Sequence, residues 1–350
     1  MRNVLVSLVA CLLGAGAVLG QAPPPAATGL VVGSGNFFSP IVTDLDAATA
    51  FYRDGLGFAV TGGPTDGANN APIRNMFGLP DAQLRWNIAR PAGIRGGVEM
   101  VEIKKIGSKA LTRNVQDPGA VTLVLAVRDV DTLVARLTKL GATVVTTTGA
   151  PVTVTLLGAP ARGVLLRAPD GHFLQLVQRS ATAAADTGDP AALVTEVRVR
   201  LTVDNVDRAL KLYRDSLGLA QQSPGTFNGD PAILQMLGLR GGMFRQAITQ
   251  VPTSGLFLQF IEFKDVERRQ ASGDIQDPGS TRIQLQVKDL DGAAKAIVAA
   301  CGRIVSSGGM PVQLPAGRGG TIKAAVVRDP DNLFLVLIEQ APPAAATPAR

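Results

Sequence analysis

Two arginines alternate with aliphatic residues in the run Val197-Arg198-Val199-Arg200-Leu201. Strand geometry sends Arg198 and Arg200 to one face and Val197, Val199 and Leu201 to the other. The run Arg282-Ile283-Gln284-Leu285-Gln286-Val287 alternates in the same way. Apolar faces that meet helices leave the polar faces lining a concavity. There each guanidinium can hold a carboxylate or phosphate through two hydrogen bonds, so the chemistry is anion binding. The competing reading is a solvated sheet face, or ion pairs at a domain interface. Glu99 lies between apolar Val98 and Met100. It reads as a lone general base of raised pKa, a polar contact to a ligand, or a paired structural carboxylate. His172 is the one histidine, and it follows the turn Pro169-Asp170-Gly171. Alternation sets it on the face opposite Gln175, which favours a structural role over acid–base work. Glu102 and Glu262 have the opposite strand parity to Glu99 and read as strand-end surface or interface charges. Tyr52 and Tyr213 read as core residues of helices.

The elements that must position these residues follow from hydrophobic periodicity. Asn36 to Val42 has strand-like composition, and Asp44 is a helix cap. Leu45, Ala48, Phe51, Tyr52 and Leu56 follow at helical spacing until Gly57 ends the helix. Further on, Val121 to Val127 reads as a strand and Asp129 as a cap. Val130, Leu133, Val134, Leu137 and Leu140 form the apolar stripe before Gly141. Strand-like segments follow each helix, clearest at 83–89, 98–104, 164–167 and 173–178. The repeating unit is β-α-β-β-β, with helices covering one sheet face and a concave face left for a ligand.

The chain repeats itself on a larger scale. Phe51-Tyr52-Arg53-Asp54-Gly55-Leu56-Gly57-Phe58 recurs as Leu212-Tyr213-Arg214-Asp215-Ser216-Leu217-Gly218-Leu219. Met76-Phe77-Gly78-Leu79 recurs as Met236-Leu237-Gly238-Leu239, and Gln116-Asp117-Pro118-Gly119 as Gln276-Asp277-Pro278-Gly279. A period this long is duplication of a whole domain rather than a solenoid. The expected domains are 31–180 and 193–341, packed on one another and joined by a linker at 181–192.

Composition bounds the function classes. The 350 residues are 46% apolar and 18% charged, enough for full hydrophobic cores. The net charge of +6 favours acidic ligands, but the basic residues are scattered, which argues against nucleic acid. Residues 1–20 read as a secretory signal: Arg2, then an apolar run from Val4 to Val18, then Val18-Leu19-Gly20 at the cleavage site. Residues 21–30 form a Pro/Ala-rich leader and 342–350 a similar tail. The expected product is exported, periplasmic or secreted, with no membrane span after cleavage. The rival reading takes Leu8-Val9-Ala10-Cys11 as a lipoprotein box. Cleavage removes Cys11 and leaves Cys301 as the one thiol, so no internal disulfide forms.

The succession of strand, Asp44-Leu45-Asp46, helix and Phe51-Tyr52-Arg53-Asp54-Gly55-Leu56-Gly57-Phe58 resembles the opening of a glyoxalase-type domain. Asp117-Pro118-Gly119 and Pro169-Asp170-Gly171-His172-Phe173-Leu174-Gln175-Leu176 fit the same pattern. The chain is similar to the vicinal oxygen chelate superfamily of glyoxalase I, extradiol dioxygenases and bleomycin-resistance proteins. The resemblance implies an α+β fold of two tandem glyoxalase-like domains. Each would build a curved mixed sheet around a concave site from two β-α-β-β-β units. Active relatives usually bind a divalent metal through inward His, Glu or Gln residues. The matching positions hold Phe37, Glu99, Thr122 and Gln175 in the first domain, and Arg198, Gln259, Arg282 and Val336 in the second. Glu99 and Gln175 remain as donors, whereas Arg198 and Arg282 repel a cation. The expected function is therefore metal-independent binding of a small molecule with no cofactor. Arg198, Arg200, Arg282, Gln259, Gln284 and Gln175 would contact the ligand. The second domain would take an anion and the first a neutral or aromatic compound. The alternatives are an enzyme with Glu99 as its catalytic residue and an altered divalent-metal site around Glu99 and Gln175, or an interaction module without a ligand.

Overall fold

The computed structural model describes residues 29–67, 70–156, 158–180, 191–220, 224–270, 272–315 and 320–339. The expected signal segment, Cys11, most of the expected leader and linker, and the tail lie outside the described residues.

The fold is α+β, with four units, each a strand, a helix and a run of further strands, arranged in two mixed sheets. Each unit begins as its sequence dictates. Asp44, Asp129, Asn205 and Asp289 cap the four main helices, each accepting a hydrogen bond from a backbone N–H two or three residues on. A second cap comes from the last strand of each unit. Glu102, Gln178, Glu262 and Glu339 accept from the N–H of Leu45, Val130, Val206 and Leu290. Glu102 and Glu262 are thus buried helix caps, not the surface or interface charges their parity suggested. They also pair with Arg85 and Arg245. In the first and third units the helix ends in a wider π-helical turn, Phe51–Gly55 and Lys211–Ser216, where one continuous α-helix was expected.

Sheet partnership crosses the linker. The first and fourth units share one sheet, ordered Arg303–Ile304, Thr321–Arg328, Phe334–Glu339, Thr281–Val287, Ser39–Val42, Val98–Lys104, Gln83–Arg90, Ala59–Val60. The second and third units share the other, ordered Met243–Gln250, Phe257–Lys264, Val194–Thr202, Val121–Val127, Phe173–Arg179, Ala159–Arg167, Thr143–Val144. The expectation that consecutive units share a concave face is therefore replaced. Each face is built from both halves of the chain. The seams are antiparallel, with Arg282 opposite Ser39 in one and Arg200 opposite Thr122 in the other.

Reciprocal contacts hold this exchange. Asp117 accepts from the N–H of Asn114 at 2.7 Å and of Arg269 at 2.9 Å. Asp277 accepts from Asp274 at 2.7 Å and from Lys109 at 2.8 Å. Each short helix of one unit docks on a hairpin of its sheet partner. Gly78 follows helix Ala71–Met76 with φ +71°, and a Cβ there would lie 2.3 Å from the Val305 carbonyl oxygen. Gly238 plays the same part after helix Pro231–Met236, against Val145. Only glycine tolerates this combination of positive φ and close backbone approach. The largest apolar cluster joins both sheets and the main helices, including Leu123, Leu125, Val199, Leu201, Ile283 and Leu285. The opposite face of each sheet carries its own smaller cluster, and these faces hold the polar residues picked out above.

Candidate ligand-binding cleft

On the sheet of the second and third units, Val197, Val199 and Leu201 enter the shared core, while Arg198 and Arg200 face the other way. A cleft of about 250 Å³ opens over them. Its floor carries Val124, Gln175, Arg198, Arg200 and Gln259. Ile233, Met236 and Leu237 reach it from the docked helix, which Asp230 caps. Thr146 Oγ1 donates to the Met236 carbonyl at 2.9 Å and fixes that helix against the second unit. Phe244, Gln246 and Ile248 complete the far wall.

Arg200 sits at the centre, 5% exposed. Its Nη1 donates to Gln175 Oε1 at 2.6 Å and its Nε to Gln259 Oε1 at 3.1 Å. Burial pulls its pKa down to about 10, and Arg198 adds to that pull, so it remains charged at neutral pH. Gln259 Nε2 donates onward to Gln246 Oε1, and Gln175 Nε2 reaches Met236 Sδ at 3.5 Å. Arg198 pairs with Glu196 and lies against the Phe257 ring. Arg179 approaches the same carboxylate at 3.5 Å. Three arginines therefore share this wall with one acid, and among the described residues no other charged side chain lines the cleft.

The sheet of the first and fourth units has a different face. Glu99 Oε2 accepts from Gln284 Nε2 at 2.8 Å and Ser39 Oγ at 3.2 Å, and Oε1 from Asn36 at 3.4 Å. Arg282 Nη2 lies 3.9 Å from Glu99. Arg282 is fully buried, and Nε, Nη1 and Nη2 have no hydrogen-bond partner among the described residues. Phe77 covers it, with its ring centre 4.5 Å from the guanidinium carbon. Burial lowers the Arg282 pKa to about 10, against the opposing pull of Glu99.

The structure thus brings Arg198, Arg200, Gln259 and Gln175 together and sets Arg282, Gln284 and Glu99 on the other sheet. Arg282 does not join Arg198 and Arg200, because the fourth unit pairs with the first. Arg179, Glu196, Gln246 and Asn228 also line the cleft and were missed. The parity of Gln175, Val177 and Arg179 on one strand was the available signal. His172 is buried away from both faces. Its Nε2 lies 2.8 Å from Tyr52 Oη, and burial lowers its pKa to about 4. In the second repeat Tyr213 donates instead to Asp329 at 2.8 Å, and burial raises that carboxyl to about 7.

A divalent metal needs several oxygen or nitrogen donors converging at about 2 Å. On neither face do the residues fit one. In the cleft the Arg200 guanidinium takes the oxygens of both Gln175 and Gln259, the donors a metal would need. On the other face Arg282 stands beside Glu99. Glu99 and Gln175 lie on different sheets and cannot hold one ion. Among the described residues no cluster of three His, Cys, Asp or Glu side chains could bind a metal.

The Glyoxalase/Bleomycin resistance protein/Dioxygenase superfamily model matches residues 36–176, the first repeat. No curated protein matches the chain in sequence. Among solved structures, glyoxalase I from Zea mays is 18% identical with a TM-score of 0.56, over 87% of this chain and 92% of that one. A putative dioxygenase from Bacillus subtilis is 13% identical with a TM-score of 0.51, over 90% and 87% of the two chains. Identities this low establish the shared fold, which hosts more than one chemistry. Family match, repeat and four-unit architecture agree: the first repeat matches this superfamily, and the whole chain has the fold of two tandem glyoxalase-like repeats.

Proposed function

We propose that this protein binds a small anionic molecule, without a metal, in the cleft of the second and third units. The excess of positive charge on that wall carries the reading: Arg179, Arg198 and Arg200 face one carboxylate, Glu196. Partly dry guanidinium groups repel one another, and an anion relieves that repulsion. The rest of the lining is largely aliphatic, so the ligand carries an apolar body beside its charged head. An enzyme built on Glu99 finds less support, because its carboxylate already serves Asn36, Ser39 and Gln284.

Thermal-shift titration of the chelator-treated chain with octanoate, benzoate and phosphate tests the proposal, since a bound ligand raises the melting temperature. Octanoate is expected to stabilise most. Arg198→Ala removes a charge-assisted contact of about 1.5–3 kcal/mol and should weaken binding about tenfold or more. No shift with any of the three anions, or an unchanged response in Arg198→Ala, would remove the basis for the reading. Export belongs to the same proposal. The mature N-terminus is expected at Gln21 or close to it, and a chain beginning at lipidated Cys11 would contradict soluble release.

A further inference from the structure

The hydrogen bonds in the cleft have a forced direction. Arginine offers donors and no acceptor, so both glutamines that meet Arg200 must turn their oxygens toward it. Gln259 then has only its NH₂ left to give, and that group meets Gln246. Gln246 must accept with Oε1, which leaves its own NH₂ on the cleft wall it helps to form. One buried guanidinium thereby sets the polarity of an amide two side chains away. Both intermediate groups are held: Arg200 and Gln259 are 5% and 6% exposed. The first repeat has nothing comparable, because Ser39, Glu99 and Trp86 occupy the equivalent places.

We propose that Arg200 is a positioning residue for specificity, working through Gln259 so that Gln246 presents a fixed hydrogen-bond donor to the ligand. A carboxylate, which only accepts, suits that wall together with Arg198. The matching primary amide can offer it a single oxygen, and the matching amine offers it nothing. This inference rests on the cleft being an anion site and adds the device by which it selects among ligands of one shape.

Octanoate, octanamide and octylamine are titrated calorimetrically into the full chain and its variants. The wild type is expected to bind octanoate at least about tenfold tighter than octanamide, and octylamine weakest. Gln246→Leu should reduce octanoate affinity about tenfold and octanamide affinity less. Arg200→Lys keeps a donor-only head and should retain the preference, whereas Arg200→Met frees Gln259 to turn and should lose most of it. Selective ¹⁵N labelling of glutamine side chains gives a readout that does not depend on variants. Octanoate should move the Gln246 NH₂ resonances more than those of Gln259. Octanoate binding that is unchanged in Gln246→Leu, or a larger shift at Gln259, overturns the relay while the anion site stands. Absence of octanoate binding to the wild type overturns both.

Discussion

The two concave faces descend from one template and have become opposites. In the cleft, a buried donor, Arg200, sits at the centre and amides radiate from it. On the other sheet an acceptor, Glu99, sits at the centre and collects Asn36, Ser39 and Gln284. Each face holds one arginine opposite a hydroxyl residue across the seam, but from opposite members of the pair: Arg200 facing Thr122, Arg282 facing Ser39. The covering residues differ in the same sense. Leu237 and Gln246 line the open cleft, where the first repeat places Phe77 and Trp86. Phe77 closes over Arg282, so that face keeps its charge inside the protein, while the cleft leaves Arg179 and Arg198 partly exposed. Duplication supplied two sites, and a few side chains decided which stayed accessible.

Replacing each arginine with methionine should break this comparison most sharply. Arg200→Met strands the oxygens of Gln175 and Gln259, at about 1–3 kcal/mol for each buried acceptor. It should also remove most of the discrimination between octanoate and octanamide. Arg282→Met removes a charge that makes no hydrogen bond, and Glu99 keeps its three other donors. It takes from Glu99 an ion-pair partner 3.9 Å away but also removes a buried charge without hydrogen bonds, so its net cost should be smaller than that of Arg200→Met. Urea denaturation of both variants checks the order, and a larger loss in Arg282→Met would reverse the roles assigned to the faces.

An intermediate effect separates the two docking glycines. Gly78→Ala drives a Cβ to 2.3 Å from a backbone oxygen, whereas at Gly238 the nearest atom, at 2.7 Å, is a side-chain methyl of Val145. Both lose a favourable positive φ, worth about 1–2 kcal/mol, and Gly78→Ala should lose more through the backbone clash. Thermal melts that rank Gly238→Ala as the more damaging would contradict the docking geometry.

A pH-dependent effect is expected from the two tyrosine partners, and it differs in sign. Asp329 has its folded pKa raised from 3.8 to about 7, so the folded chain holds the extra proton between those values. Its contribution is full below the lower value and is lost as pH rises through the upper. His172 has its pKa lowered from 6.5 to about 4, so the folded chain resists protonation and loses stability as pH falls through that window. Relative to wild type, Asp329→Asn should gain stability as pH rises through its window. His172→Gln should gain as pH falls through its own. Parallel pH profiles for the two variants would show that the tyrosine partners do not titrate as described.

Much of this was legible in the sequence. Alternation placed Arg198 and Arg200 on the face opposite Val197, Val199 and Leu201, and Asp44 and Asp129 are caps as read. The α+β class followed from the repeated unit. Sheet partnership was not legible, because all four units present the same alternating inner edge and any two can pair. The choice lies in the crossing loops, where Asp117 and Asp277 bind backbone of the other repeat. That one ambiguity moved Arg282 and Gln284 away from Arg198 and brought Gln175 to it. Glu102 and Glu262 were misread for a related reason. Their parity shows that they leave the concave face, but not that a helix N-terminus waits on the other side.

The central claim is that the cleft around Arg200 takes an anion without a metal. The direct measurement is calorimetric titration of octanoate into the full chain before and after exhaustive chelation, with elemental analysis of the same samples. The account predicts equal affinity in both states and no stoichiometric zinc, nickel, manganese or iron. Loss of binding on chelation, restored by one equivalent of a divalent metal, would contradict it.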